Sequence, residues 1–260
     1  MAAMPALFIS HGSPMLALEP EQPAHRFLTT AAEAWPRPRA ILAVSAHWET
    51  AAPVLGATAQ PDTIHDFSGF PPELYRLRYP APGEPALAAA IRDPLAAAGI
   101  DATLDPQRGL DHGAWSPLLL VYPQADIPVL QLSVQSRRDP AHHLRLGAAL
   151  RALREDGVLV FATGSLTHNL RALDWRGGGK VMPWAQDFSD WMHDRLVARD
   201  DAALADYRAQ APHAAMAHPT DEHLLPLYVA LGAATPGVAA ERLHASFALG
   251  SLSMESYLFN

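Results

Sequence analysis

The chain has no cysteine among its 260 residues. That excludes a disulfide framework, a thiolate metal site and a cysteine nucleophile, so any metal must sit on nitrogen and oxygen. Positive charge is also scarce: 19 Lys and Arg face 27 Asp and Glu, a formal net charge of −8. Without a basic block, neither a nucleic-acid groove nor an anionic membrane surface is an expected partner. No apolar run approaches the ~20 residues of a membrane span. The opening Met1-Ala2-Ala3-Met4-Pro5 lacks the basic n-region of a signal peptide. The cytoplasm is therefore the expected address. Also missing are a Gly-x-Ser-x-Gly nucleophile elbow, a phosphate-binding loop and a dinucleotide fingerprint.

What is present is an ordinary globular composition, 49% hydrophobic and 18% charged, enough for a full core. Apolar runs alternate with helical patterns. Ala6 to Ser10, Ala40 to Ala46, Val54 to Ala59, Pro128 to Val134 and Val158 to Ala162 read as strands. Helices are expected over Glu21 to Trp35, Glu84 to Ala98, Asp139 to about Asp156, Pro183 to Arg199 and Leu224 to Leu231. Gly177-Gly178-Gly179 reads as a turn, and Arg242 to Phe259 as strand material. Two stretches, Asp62 to Gly83 and Arg108 to Pro117, are too rich in Pro, Gly and aromatics for regular structure. This order predicts one α/β domain over residues 1–260, with a mostly parallel or mixed sheet, helices on both faces and antiparallel edges supplied by the tail.

Histidine is plentiful, with 13 in the chain. Four stand apart. His11 is in Ser10-His11-Gly12-Ser13-Pro14, His47 in Ser45-Ala46-His47-Trp48, His168 in Gly164-Ser165-Leu166-Thr167-His168, and His223 in Thr220-Asp221-Glu222-His223. The first three follow apolar runs, and the ends of such strands are where open α/β sheets put their chemistry. Neutral imidazole is the commonest metal ligand and also a proton shuttle near neutral pH. His223 stands near a helix start with Thr220 as its cap, where the helix's positive end keeps an imidazole neutral. His112 and His65, each beside an acidic residue, are pocket candidates. His25, His142, His143, His193, His213, His218 and His244 read as surface residues.

Taken together these motifs resemble the DODA-type (4,5-DOPA-type) extradiol ring-opening dioxygenases of the class III superfamily. The similar segments include His11-Gly12-Ser13-Pro14-Met15, Ser45-Ala46-His47-Trp48, His65-Asp66-Phe67-Ser68-Gly69-Phe70-Pro71, Tyr79-Pro80-Ala81-Pro82-Gly83, Asp111-His112-Gly113-Ala114-Trp115, Thr167-His168-Asn169-Leu170, and Glu222-His223-Leu224-Leu225-Pro226. The resemblance implies a divalent metal on His11, His47 and His223, with His168 at the metal or one step away. It implies that His168 is the general base and His112 its helper. Fe(II) is the implied ion for ring cleavage, and Zn(II) is the ion often ascribed to bacterial relatives. Substrate and co-substrate would be a catechol and O2. The aromatic segment bounded by prolines predicts a substrate wall of His65, Phe67, Phe70 and Tyr79.

Two other readings use the same residues. An all-histidine ligand set also suits a non-catalytic zinc protein. A tetrapyrrole metal chelatase would likewise open with a strand and His-Gly-Ser.

Overall fold

In the computed structural model, which describes residues 3–175 and 179–260, the apolar runs have built an eight-stranded sheet. In chain order its strands are β1 (Ala6–Ser10), β2 (Ala40–Glu49), β3 (Val54–Gly56), β4 (Thr103–Asp105), β5 (Val129–Val134), β6 (Val158–Gly164), β7 (Glu241–His244) and, at the C-terminus, β10 (Ser256–Phe259). β8 (Phe247–Ala248) and β9 (Leu252–Ser253) form a small separate pair. The spatial order is β4-β3-β5-β2-β6-β1-β10-β7. The central four, β5, β2, β6 and β1, are mutually parallel, while β3 and β10 flank them antiparallel. The expected α/β class with antiparallel late strands is the one observed.

The helices are α1 (Pro23–Ala31), α2 (Pro85–Ala97), α3 (His112–Val121), α4 (Pro140–Leu150), α5 (Pro183–Ala198), the short α6 (Asp201–Ala205), α7 (Tyr207–Gln210) and α8 (Ala214–Ala217), and α9 (Leu225–Ala233). Successive residues of a strand point to opposite faces, and here both faces are apolar. In β1, Phe8 joins the core containing α2, α4 and α9, whereas Leu7 and Ile9 join the core containing α1 and α3. β6 splits the same way, Val160 to one side and Phe161 to the other. Burial on both faces is why these strands read as continuous apolar runs rather than alternating ones.

Several expectations need correction. The stretch 108–117 is not irregular throughout: α3 starts at His112, with the Asp111 side chain capping it by accepting from the Ala114 N–H. Gly113 and Pro117 lie inside this helix and disguise it. The first helix is shorter than expected, Pro23 to Ala31. Its remainder tightens into a 3-10 turn over Ala32 to Ala34. β3 ends at Gly56, and β2 runs past Ala46 to Glu49, so His47 lies within the strand. Thr220 does not cap α9, which begins at Leu225; its hydroxyl donates to Glu222 instead, 3.0 Å away. His143 and His218 are fully buried rather than superficial. The His143 Nε2 accepts from the Gln135 N–H at 3.2 Å, and the His218 Nε2–H donates to the Leu166 carbonyl at 2.8 Å. The glycine turn at 177–179 lies partly outside the described residues. Among the described residues no helix is long and apolar enough to cross a membrane.

Candidate metal centre and substrate cleft

The parallel registers bring the ends of β1, β6 and β2 to one level, Ser10 opposite Gly164 and Ser45 opposite Thr163. His11 and His47 therefore emerge side by side across β6. His223 reaches them from the turn before α9, which crosses directly over Gly164. The Ser165 N–H donates to the His223 carbonyl at 2.9 Å, and a Cβ built on Gly164 would stand 2.1 Å from that oxygen. Glycine is needed here for close approach. Gly164→Ala should push the His223 turn outward. The expected result is ~1–3 kcal/mol of lost stability from overpacking and metal affinity weaker by about tenfold or more, as when a ligand's support is disturbed. Thermal melts and metal titration check both, and an unchanged metal affinity would show that the turn yields without moving His223.

The three imidazoles converge through their Nε2 atoms, 3.1 Å between His11 and His47 and 3.3 Å between His47 and His223. Each turns its other nitrogen to an acceptor. His11 Nδ1 is 2.9 Å from Thr163 Oγ1, whose own proton goes to the Gly113 carbonyl at 2.8 Å. Thr163 must then accept, so His11 carries its proton on Nδ1. That carbonyl is free because the residue one helical turn on is Pro117, which has no N–H to give it. His223 Nδ1 donates to Glu222 at 3.0 Å, and His47 Nδ1 is 3.5 Å from Asp66. Hydrogen bonds fix Nδ1–H on His11 and His223, and the Asp66 carboxylate 3.5 Å from His47 Nδ1 favours the same tautomer there, so three Nε2 lone pairs face one point.

Three lone pairs so placed repel one another unless a cation lies between them. Bonds of ~2.1 Å would separate neighbouring donors by about 3.0 Å at right angles and about 3.4 Å at the tetrahedral angle. The two observed separations fall between these. Burial, followed by mutual repulsion of the rings, holds His11 and His223 well below the ordinary histidine pKa. Burial and His112 lower His47 to about 4, against the opposing pull of Asp111 and Asp66. All three are thus neutral at pH 7, as ligands must be. The residues fit a divalent metal.

His168 stands outside this trio. Its ring stacks on His223, with centroids 3.4 Å apart and planes 9° apart. Its ligating atoms group with Glu222 and His223 rather than with His11 and His47. Burial lowers its pKa to about 4. The segment carrying it is pinned to the turn of α8 by the His168 N–H to the Ala217 carbonyl and by Asn169 Nδ2 to the Met216 carbonyl, both 2.8 Å.

His112 lies on the opposite side, its ring 3.9 Å from that of His47. Asp66 Oδ2 is 3.0 Å from His112 Nδ1, poorly aligned for a hydrogen bond, while Oδ1 accepts from the His112 backbone N–H at 2.9 Å. Burial acts to raise the Asp66 pKa, but its contacts with His112 and the nearby His47 outweigh that and bring it to about 2. Beneath them, Asp111 is fully buried and accepts from Ser45 at 2.6 Å, Gln131 at 2.8 Å and Arg108 at 2.9 Å. It ties the end of β2 to the start of α3, and so His47 to His112.

A cleft of ≈ 270 Å³ opens above the cluster, lined by His11, His47, His112, His168 and His223 with Phe67, Phe70, Leu170 and Trp175. Of the expected substrate wall, Phe67 and Phe70 are in place. His65 and Tyr79 are not. His65 packs behind Phe67 with its Nε2 3.2 Å from the Leu77 carbonyl. Tyr79 is fully buried in the core, its hydroxyl donating to the Tyr122 carbonyl at 3.1 Å. Sequence reading missed Asp66, Asp111 and Thr163, whose contacts with His112, Ser45 and His11 span 46 or more positions. It also missed Leu170 and Trp175, 57% and 69% exposed at the cleft. The pairing of carboxylate and histidine in His65-Asp66 and in Asp111-His112 was the available signal.

Fold and site define a histidine-centred α/β protein able to hold one divalent ion at the floor of an apolar cleft. Residues 5–259 match the family described as catalytic LigB subunit of aromatic ring-opening dioxygenase. The chain belongs to that family of ring-cleaving oxidoreductases. It is 46% identical over 259 residues to a 4,5-DOPA dioxygenase extradiol of Beta vulgaris, covering 97% of this chain and 95% of the relative. A protein of the same name from Escherichia coli K12 is 43% identical, covering 88% and 85%. The crystal structure of uncharacterized protein JW3007 from Escherichia coli K12 superposes with a TM-score of 0.83 at 36% identity, covering 99% of this chain and 100% of that one.

Proposed function

We propose that the protein is an extradiol dioxygenase, a single catalytic domain over residues 1–260 working in the cytoplasm, that opens the ring of a substituted catechol with O2. The metal is held by His11, His47 and His223, and the working ion is Fe(II). The observation that carries this reading is the convergence of three bare Nε2 atoms at the floor of an apolar cleft. The extradiol names of the relatives support the catechol. Bound Fe(II) would supply the redox chemistry that lets triplet dioxygen react with a closed-shell ring, with three protein ligands leaving room for both reactants.

The chain's own residues do the rest. His168, neutral at pH 7 because burial depresses its pKa to about 4, takes a catechol hydroxyl proton and later returns it. Such help is worth roughly 10²–10⁴-fold. His112, with Asp66 beside its Nδ1, offers Nε2 to an oxygen of the substrate. Phe67 and Phe70 hold the flat ring, and apolar walls exclude water. Both atoms of O2 end in the product, a muconic semialdehyde cleaved beside the two hydroxyls.

The test is anaerobic reconstitution with Fe(II), then titration with catechols and matched phenols before O2 is admitted. Catechols should bind more tightly, because chelation needs two adjacent oxygens, and should give the absorbance of ring-opened product on aeration. Equal affinity for phenol and catechol would remove bidentate chelation and the ring-cleavage reading with it. Retention of Zn(II) with no turnover in the Fe(II) form would favour the non-catalytic zinc protein.

A further inference from the structure

We infer that His218, a buried histidine outside the metal cleft, positions the base His168 by holding the carbonyl of Leu166. This rests on the ring-cleavage reading and adds a residue to its machinery. His218 follows α8 and is fully buried. Its Nε2–H donates to the Leu166 carbonyl at 2.8 Å, two residues before His168. No other donor among the described residues reaches that oxygen. The segments 166–169 and 216–218 run against each other. The His168 N–H and Asn169 Nδ2 donate to the carbonyls of Ala217 and Met216, both at 2.8 Å. Any residue would offer those two carbonyls. The third bond depends on the histidine ring.

That ring is itself held. The His218 N–H donates to the Ala214 carbonyl at 2.9 Å, and the His218 carbonyl accepts from Arg208 at 2.5 Å. The ring packs against those of Phe188 and Tyr207, with centroids 5.5 and 6.3 Å away. Burial lowers its pKa to about 4, so it is neutral and carries a single proton. With that proton on Nε2, Nδ1 is left buried with no partner among the described residues. A bare buried acceptor costs free energy that an apolar residue of similar size would not. What the imidazole adds in return is the Nε2–H. Without it the Leu166 oxygen would be buried and unpaired, and its peptide would turn to find a donor, carrying Thr167 and His168 with it. His168 lies face to face with His223, ring centroids 3.4 Å apart. A displacement of ~1 Å from a working geometry can cost about 10²-fold in rate.

The experiment measures steady-state cleavage of a catechol by the Fe(II)-reconstituted wild type, His218→Leu, His218→Asn and His218→Gln, with metal content determined on each. A glutamine amide nitrogen reaches about as far as Nε2, an asparagine one only as far as Nδ1. His218→Leu and His218→Asn should keep their metal and KM while kcat falls by about 10–100-fold, because the interaction lost acts in the transition state. His218→Gln should recover most of that loss. A residue that only filled the core would be replaced best by Leu and would not separate Gln from Asn. Wild-type kcat in His218→Leu or His218→Asn overturns the inference, as does His218→Gln no better than His218→Asn. Loss of metal in step with kcat overturns it too, by moving the effect to His223. If His218→Leu does not fold, the Gln and Asn variants, one methylene apart, still decide. A wild type that cleaves no catechol overturns the ring-cleavage reading and takes this inference with it, whereas every result above leaves that reading standing.

Discussion

Replacing His47 with Ala is expected to leave the purified protein without its metal. His47 is the central donor, its Nε2 within 3.1 Å of His11 and 3.3 Å of His223. Removing it leaves two nitrogens that no longer enclose a point, and the carboxylates nearest to His47 are already engaged. Asp66 is engaged by the His112 backbone N–H, and Asp111 by Ser45, Gln131 and Arg108. Outer groups tune a metal site but do not supply a missing bond; even their own loss costs about 10–100-fold in affinity. Elemental analysis of wild type and variant after identical reconstitution measures this. A variant that keeps one equivalent would mean that the three Nε2 atoms are not the ligand set.

His168→Ala should give the complementary result, a metal content like that of the wild type with kcat lower by about 10²–10⁴-fold. The basis is geometric. His168 stacks face to face on His223 rather than pointing at the shared Nε2 centre. With binding intact and a transition-state proton transfer removed, the loss should fall on kcat more than on KM. The fold should hold, since Leu166 and Asn169 keep their bonds to His218 and Met216. Partial loss of metal would instead make His168 a fourth ligand, and full activity would remove both roles.

The site was legible where local context carried it. His11 and His47 stood out because a polar ring ends an apolar strand, and His168 because it follows Thr163-Gly164-Ser165. Phe67 and Phe70 were marked by an aromatic segment held between prolines. Tyr79 belongs to the same segment and reads identically, yet it turns into the core while Phe67 turns to the cleft. Sequence spacing cannot tell these apart, because irregular backbone has no fixed side-chain period. The same limit hid α3: Gly113 and Pro117 are poor helix formers on their own, and tertiary contacts override that preference here. Gly113 admits Ser45 Oγ and His47 Cδ2, which a Cβ would meet at 2.4 and 2.9 Å.

Patterning alone determined the strand runs, the α/β class and the choice of histidine over thiolate chemistry. These follow from local composition and from continuous apolar runs bounded by turn residues, which any short window of residues displays. The tertiary structure decided which nitrogen of each ring is bare. It joined Pro117 to Gly113, Thr163 and His11 in one chain of donors and acceptors, and set Asp66 against both His47 and His112. It also separated His168 from the three converging imidazoles. Hydrogen-bond direction and lone-pair convergence depend on atoms brought together from distant parts of the chain, so they exist only once the sheet and its helices have assembled.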